Sequence, residues 1–159
     1  MRMISFLITL LIFNSCTDKK PSSKFQAVRT QYCYLYNIKK IDSIYFLNVD
    51  FIEVLTGDSA IVIAKNRGQA EYEISEQGDT TWFVANDYFI FNEKTDSVKI
   101  PIDENCKIVI YISDETTNFQ PKEKSINVEE LKNYLSGDRI FEIKIANEKV
   151  KAIKEFWVP

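Results

Sequence analysis

The chain has 159 residues, the length of one domain and too short for two of ordinary size. Its 45% hydrophobic, 13% aromatic and 27% charged residues belong to a folded core, not to a disordered chain. Twenty basic side chains against 23 acidic ones leave a net charge of −3, opposite to the basic surplus of a nucleic-acid-binding domain. There is no histidine, which excludes Ser–His and Cys–His catalytic pairs and any His-ligated zinc.

At the N-terminus Arg2 precedes an apolar stretch, residues 3–13, broken only by Ser5 and Thr9. It is shorter than the roughly 20 residues that span a bilayer, and it fits the apolar core of a secretory signal, about 7–15 residues. The following Phe13-Asn14-Ser15-Cys16 resembles the lipobox of bacterial lipoproteins, in which a small residue precedes a cysteine that takes lipid and becomes N-terminal. Ser15 fits that pattern, while Phe13 and Asn14 depart from its usual Leu and small residue. The resemblance implies that residues 1–15 are a removed signal peptide and that Cys16 is lipidated. Each CH₂ of such a lipid contributes about 0.8 kcal/mol to membrane binding. Thr17, rather than Asp, after the lipidated position implies the outer membrane. Residues 16–24 are polar and read as a tether, leaving residues 25–159 as a single β-rich domain. The expected product is exported and lipid-anchored to the cell envelope. Its expected partners are the membrane itself, through Cys16, and an envelope protein or glycan, with no nucleic acid.

Along the domain, residues 31–36 alternate, with Tyr32, Tyr34 and Tyr36 on one face and Cys33 and Leu35 on the other. Residues 37–43 form a polar turn containing Ile38 and Ile41. Residues 44–55 make a long strand with Tyr45, Leu47, Val49 and Phe51 on one side and Asn48 and Asp50 on the other, in a hairpin with the first. Asp58 is placed to cap a short helix over 59–67 whose apolar side is Ala60, Ile61, Ile63 and Ala64, with Gly68 as its stop. Residues 69–81 are polar, turning at Gly78-Asp79. Residues 82–92 are aromatic and read as a buried strand broken at Asn86-Asp87. Two further strands, 98–102 and 107–112, flank a turn at Asp103-Glu104-Asn105. The run Lys122-Glu123-Lys124 reads as a solvated loop.

The second helix carries the clearest local signal. Asn127 and Glu130 make a capping box, Ile126 and Leu131 a hydrophobic staple, and Val128, Leu131, Tyr134 and Leu135 an apolar face, closed by Gly137. A strand at 140–145, a turn at 146–149 and a last strand at 150–157 complete the order. The expected fold is mainly β with two short helices. It resembles the OB fold, a five-stranded barrel with a helix between its third and fourth strands, here with an inserted helix after strand 2. An open α+β sheet is the alternative.

The candidate sites are modest. Leu55-Thr56-Gly57 followed by Asn86-Asp87-Tyr88 resembles a set of uncharacterised bacterial secreted proteins and lipoproteins, over residues 44–112, with Ala85 where that pattern often has Pro. The resemblance implies no known activity. Asp50, Thr56, Asn86 and Asp87 are candidates to converge on a polar site for a cation or a sugar hydroxyl. The competing reading makes Asn86 and Asp87 turn residues bonded to their own backbone. The Tyr32, Tyr34, Tyr36 stripe is a candidate stacking platform for a sugar or peptide, unless it is simply a half-buried strand face. Asp50, Glu53 and Asp87 offer acid pairs for glycoside hydrolysis without histidine. Cys33 and Cys106 remain once Cys16 takes lipid, either as a disulfide or as two buried thiols. With four glycines there is no phosphate-cradling loop, and the cysteines lack metal-ligand spacing, so no cofactor is expected. The functional expectation is a non-enzymatic envelope lipoprotein that binds a protein or envelope partner. A carbohydrate- or small-ligand-binding module is the second reading, and a small acid-pair hydrolase the third.

Overall fold

The computed structural model describes residues 27–113, 115, 119–135 and 138–157. The signal segment, the tether, Cys16 and Gly137 lie outside the described residues. Alternation in the sequence becomes a hairpin of two long strands, β1 (Arg29–Ile41) and β2 (Ile44–Thr56). Cys33 and Leu35 from β1 and Leu47 and Val49 from β2 turn inward and are all but fully buried. The ladder pairs Leu35 with Val49 but Asn37 with Asn48, so Tyr36 is an extra residue, a β-bulge. The bulge reverses the parity of β1, which is why Ile38 joins the core beyond it.

The remaining elements are α1 (Gly57–Asn66), β3 (Glu71–Ile74), β4 (Thr80–Phe83), β5 (Tyr88–Phe91), β6 (Ser97–Ile112), β7 (Lys122–Ile126), α2 (Val128–Leu131), β8 (Ile140–Ala146) and β9 (Lys149–Glu155). Strand β1 lies between β2 and β8, β8 pairs with β9, and β9 runs parallel to β6, which returns to β2. That circuit closes a five-stranded, OB-like barrel. The helix α2 falls between its third and fourth strands, as expected, and the open sheet is set aside. Followed once around, the ladders leave β1 at Arg29 and come back level with Lys40, the offset that strongly tilted strands produce. Leu131 of α2 is fully buried with Phe141, Ile143, Val150 and Ile153 in the barrel interior. The β8–β9 connection is a two-residue turn with Asn147 and Glu148 both at positive φ, the twist a tight hairpin favours.

Five local expectations are corrected. Residues 37–41 are not turn but the second half of β1, paired with β2 as far as Ile41 opposite Ile44, so that only Asp42 and Ser43 turn. Asp103-Glu104-Asn105 does not separate two strands, because β6 is continuous through it. Its ladder to β9 jumps from Ile102 opposite Val150 to Lys107 opposite Ala152, and this large bulge lets one strand serve β2 first and β9 and β7 later. Lys122-Glu123-Lys124 belongs to β7, an edge strand whose charges suit an unpaired border. The polar stretch before Trp82 forms the hairpin β3–β4, turning where Gly78 adopts φ +89°. The last strand ends at Glu155, not Trp157.

The helices follow their local signals in part. Helix α1 begins at Gly57 without a cap from Asp58; Ser59 Oγ instead donates to the Thr56 carbonyl at 2.8 Å. Gly68, at φ +68°, stops it. Ala60 and Ala64 pack with Val84 into a second, smaller core, joined by Leu55, Ala70 and Phe89. At α2 the capping box is complete, with Glu130 N donating to Asn127 Oδ1 at 2.9 Å and Asn127 N to Glu130 Oε2 at 3.0 Å. Both members of the staple, Ile126 and Leu131, are buried in the barrel core. The helix then tightens into a 3-10 turn, Lys132–Tyr134.

Candidate functional site

Asp50 sits on the side of β2 opposite Leu47 and Val49, yet it is only 1% exposed. The segment after β5 covers it. Asn92 Nδ2 donates to Oδ2 at 2.9 Å and the Asp96 backbone N to Oδ1 at 3.0 Å. The hydroxyl of Tyr36, the bulged residue on the outward face of β1, donates to Oδ2 at 2.9 Å. Among the described residues no basic group pairs with this carboxylate, so its burial is compensated by neutral donors alone. Loss of hydration, then the hydrogen bond to Asp50 and its charge, hold the Tyr36 phenol above its usual value. Burial, and secondarily the Asp50 charge, pushes the Cys33 thiol up to about 12.

Tyr36 is thus the one other candidate brought to Asp50; Thr56, Asn86 and Asp87 do not join it. Thr56 lies opposite Tyr88, at the far end of β2, about 20 Å along the strand at the usual rise per residue. Asn86 and Asp87 lie near that end in an exposed 3-10 turn, with φ of 57° and 60°. Asn and Asp enter that left-handed region at lower cost than other non-glycine residues, which accounts for polar residues inside an aromatic run. Glu53 is exposed opposite Phe91. Asp50 spends both oxygens within the fold, and Asp87 is remote from it, so the expected acid pairs are not brought together.

The tyrosine stripe is partly consumed by packing. Tyr32 meets the Phe156 ring edge-on at 5.1 Å, and Tyr88 meets the same ring at 6.0 Å. Tyr34 is half-buried, and only Tyr36 is well exposed, at 42%. Cys33 and Cys106 are free thiols and not a disulfide. Cys33 Sγ donates to the Phe141 carbonyl, and Phe141 pairs with Glu155, whereas Cys106 adjoins Lys107, opposite Ala152. Those levels differ by about 10–13 Å along β9, beyond the roughly 7 Å between Cα atoms that a disulfide tolerates.

A cleft that the sequence did not announce lies between the β1–β2 turn, the β6 bulge and the start of α2. It encloses about 460 Å³, lined by Ser43, Ile44, Tyr45, Ile102, Asp103, Glu104, Val128 and Lys149, a volume within the range of small-ligand sites. Ile44, Ile102 and Val128 supply apolar wall. Tyr45 donates its hydroxyl to Glu129 Oε1, Lys132 Nζ donates to Glu129 Oε2, and the ammoniums of Lys40 and Lys132 lie 5.0 and 5.7 Å from the Tyr45 ring centre. Lys151 donates to Asp103 Oδ2 and Asn105 N to Oδ1; these bonds hold the Asp103 carboxyl below its usual range. The bonds from Lys132 and Tyr45 do the same for Glu129. Both carboxylates are therefore ionised at neutral pH. Glu104 and Lys149 enter no ion pair among the described residues and are available at the rim. The sequence signal for this cleft was Asp103-Glu104 inside a strand-like pattern, which reads equally well as a turn. No family model matches the chain, and comparison with curated proteins and with solved structures finds no match.

Proposed function

We propose that the protein is a lipid-anchored binding module of the bacterial cell envelope, held at the outer membrane through Cys16 and taking an envelope ligand in the cleft beside Tyr45. The cleft is the observation that carries the binding half of this reading, and the lipobox-like Phe13-Asn14-Ser15-Cys16 supports the anchoring half. Strands β2 and β6 and a capped helix frame it, and it combines apolar walls with the Ser43 hydroxyl, the Glu104 carboxylate and the Lys149 ammonium as hydrogen-bonding groups. OB-like barrels bind oligonucleotides and oligosaccharides on the face of their second and third strands and on the loops joining strands 1–2 and 4–5. Here those are β2, β6, the turn at Ser43 and the end of the β8–β9 turn at Lys149. The acidic balance of the chain and the lipobox-like segment favour an envelope glycan over a nucleic acid.

Titrating the ¹⁵N-labelled protein with peptidoglycan fragments tests the cleft. Amide shifts are expected to cluster at Ser43, Tyr45, Glu104 and Lys149, with affinity falling in Glu104→Ala and Lys149→Ala. Shifts scattered elsewhere, or none at saturating ligand, would overturn the assignment. For the anchor, Cys16→Ala is expected to release the protein from the membrane fraction, and unchanged fractionation would remove that half of the reading.

A further inference from the structure

The hairpin β3–β4 stands apart from the barrel. Neither of its strands pairs with any other among the described residues, so both of its outer edges are open. Its two ends are rooted in the second core, through Ala70 before β3 and Val84 after β4, while every residue of β3 is exposed. The register sets Tyr72 opposite Trp82 and Ile74 opposite Thr80, so these four side chains share one face. Tyr72 is 56% and Ile74 64% exposed, and the Tyr72 and Trp82 rings lie 5.0 Å apart, tilted by 49°. The opposite face carries Glu71 and Glu73. With Glu76 and Asp79 at the tip, residues 69–83 contain four acids and no base. A two-stranded ribbon is marginal by itself, and edges are commonly blunted by Lys or Pro. Strand β7 carries Lys122 and Lys124 at its border, whereas β3 has neither.

We propose that this hairpin is a docking arm for a partner protein, which adds an extended, basic segment to the open edge of β3. Strand addition supplies main-chain hydrogen bonds, and alternate side chains of the incoming strand set specificity. The matching pattern alternates basic residues, against Glu71 and Glu73, with apolar ones, against Tyr72 and Ile74. Charge also selects against two other occupants. A second copy of the chain pairing through β3 would set acid against acid, and the acidic tip is repelled by an anionic bilayer. The arm is separate from the cleft and does not rest on it.

The probe is a synthetic peptide alternating Lys and Val, titrated against the full-length chain, with Glu–Val and Lys–Ser peptides and a chito-oligosaccharide as comparisons. The expected result is salt-sensitive binding of the Lys–Val peptide alone, with slowed amide exchange in β3 and a change in Trp82 fluorescence. Reversing both charges in Glu71→Lys/Glu73→Lys, at exposed positions, is expected to weaken it about tenfold or more. The proposal falls if the Lys–Val peptide binds no more tightly than the Glu–Val peptide, or if binding survives the charge reversal. It falls equally if Trp82 responds while β3 amide exchange does not. Binding of the sugar in place of the peptide would assign the Tyr72–Trp82 face to a glycan and overturn it as well.

Discussion

Replacing Asp50 by Asn keeps the shape of the side chain and removes only its charge and one acceptor. Oδ2 accepts from two donors, Tyr36 and Asn92, and Oδ1 from one, the Asp96 backbone. Whichever way the new amide is turned, its NH₂ must face at least one N–H or O–H that has nothing to donate to. The cheaper orientation keeps the oxygen toward Tyr36 and Asn92 and leaves the Asp96 amide without its acceptor. A hydrogen bond to a charged acceptor is worth about 1.5–3 kcal/mol, and the two surviving bonds weaken to neutral strength. Relief of carboxylate desolvation returns part of that, so the expected loss is about 2–3 kcal/mol. For a domain of this size that corresponds to a fall in Tm of roughly 6–12 °C. Urea unfolding followed by circular dichroism measures it, with an unchanged denaturant slope showing that the native fold is retained. Amide exchange at Asp96 should quicken at the same time. An Asn variant within about 0.5 kcal/mol of the parent, or an Asp96 amide that exchanges as before, would refute the view that this carboxylate pins the segment after β5.

Other positions give independent tests. Asn86, at φ 57°, should tolerate Gly but lose about 1–2 kcal/mol as Val, which pays the full left-handed penalty; chemical denaturation of the pair separates them. Asn127→Ala removes the acceptor of the capping box and should cost about 1 kcal/mol, read by the same assay. Burial holds Cys33 and Cys106 up to about 12 from an ordinary 9.0. At pH 8 both thiols should react slowly with a thiolate-specific reagent in the folded protein and rapidly in urea, and fast labelling of Cys33 without denaturant would contradict its burial. Because the folded-state values lie above the unfolded ones, the associated stability is complete below pH 9 and is lost as pH rises toward 12. Alkaline unfolding should therefore be delayed in a Cys33→Ala variant relative to its own neutral-pH stability.

Where neighbours in sequence are neighbours in space, the chain was legible. The inward set of β1 and β2, the stop at Gly68 and the capping box at Asn127 all follow from local spacing. The barrel order followed too, because the succession of strands and helices is written locally, even where a bulge shifts a strand's parity, as in β1 and β9. What was hidden depends on distant partners. Asp50 reads as an outward polar residue until Asn92 and Asp96 fold over it. The β6 bulge looks like a turn because its polar residues interrupt the pattern without interrupting the strand. Strand β7 is polar at every position but one, since this edge has only Ile126 to bury. The cleft draws on three separate elements, and no one of them carries a motif.

The parallel ladder between β6 and β9 also dictates an order of events. Strand β9 is the last described strand, and without it β8 and the second half of β6 each keep an unpaired border on the side that closes the barrel. The β1–β2 hairpin forms from local contacts, but ring closure joins residues around position 105 to residues around 152 and must await the final hairpin. Such late, non-local pairing slows folding. A growing chain therefore remains open until β9 has been synthesised, a state in which it can still be threaded through a narrow channel.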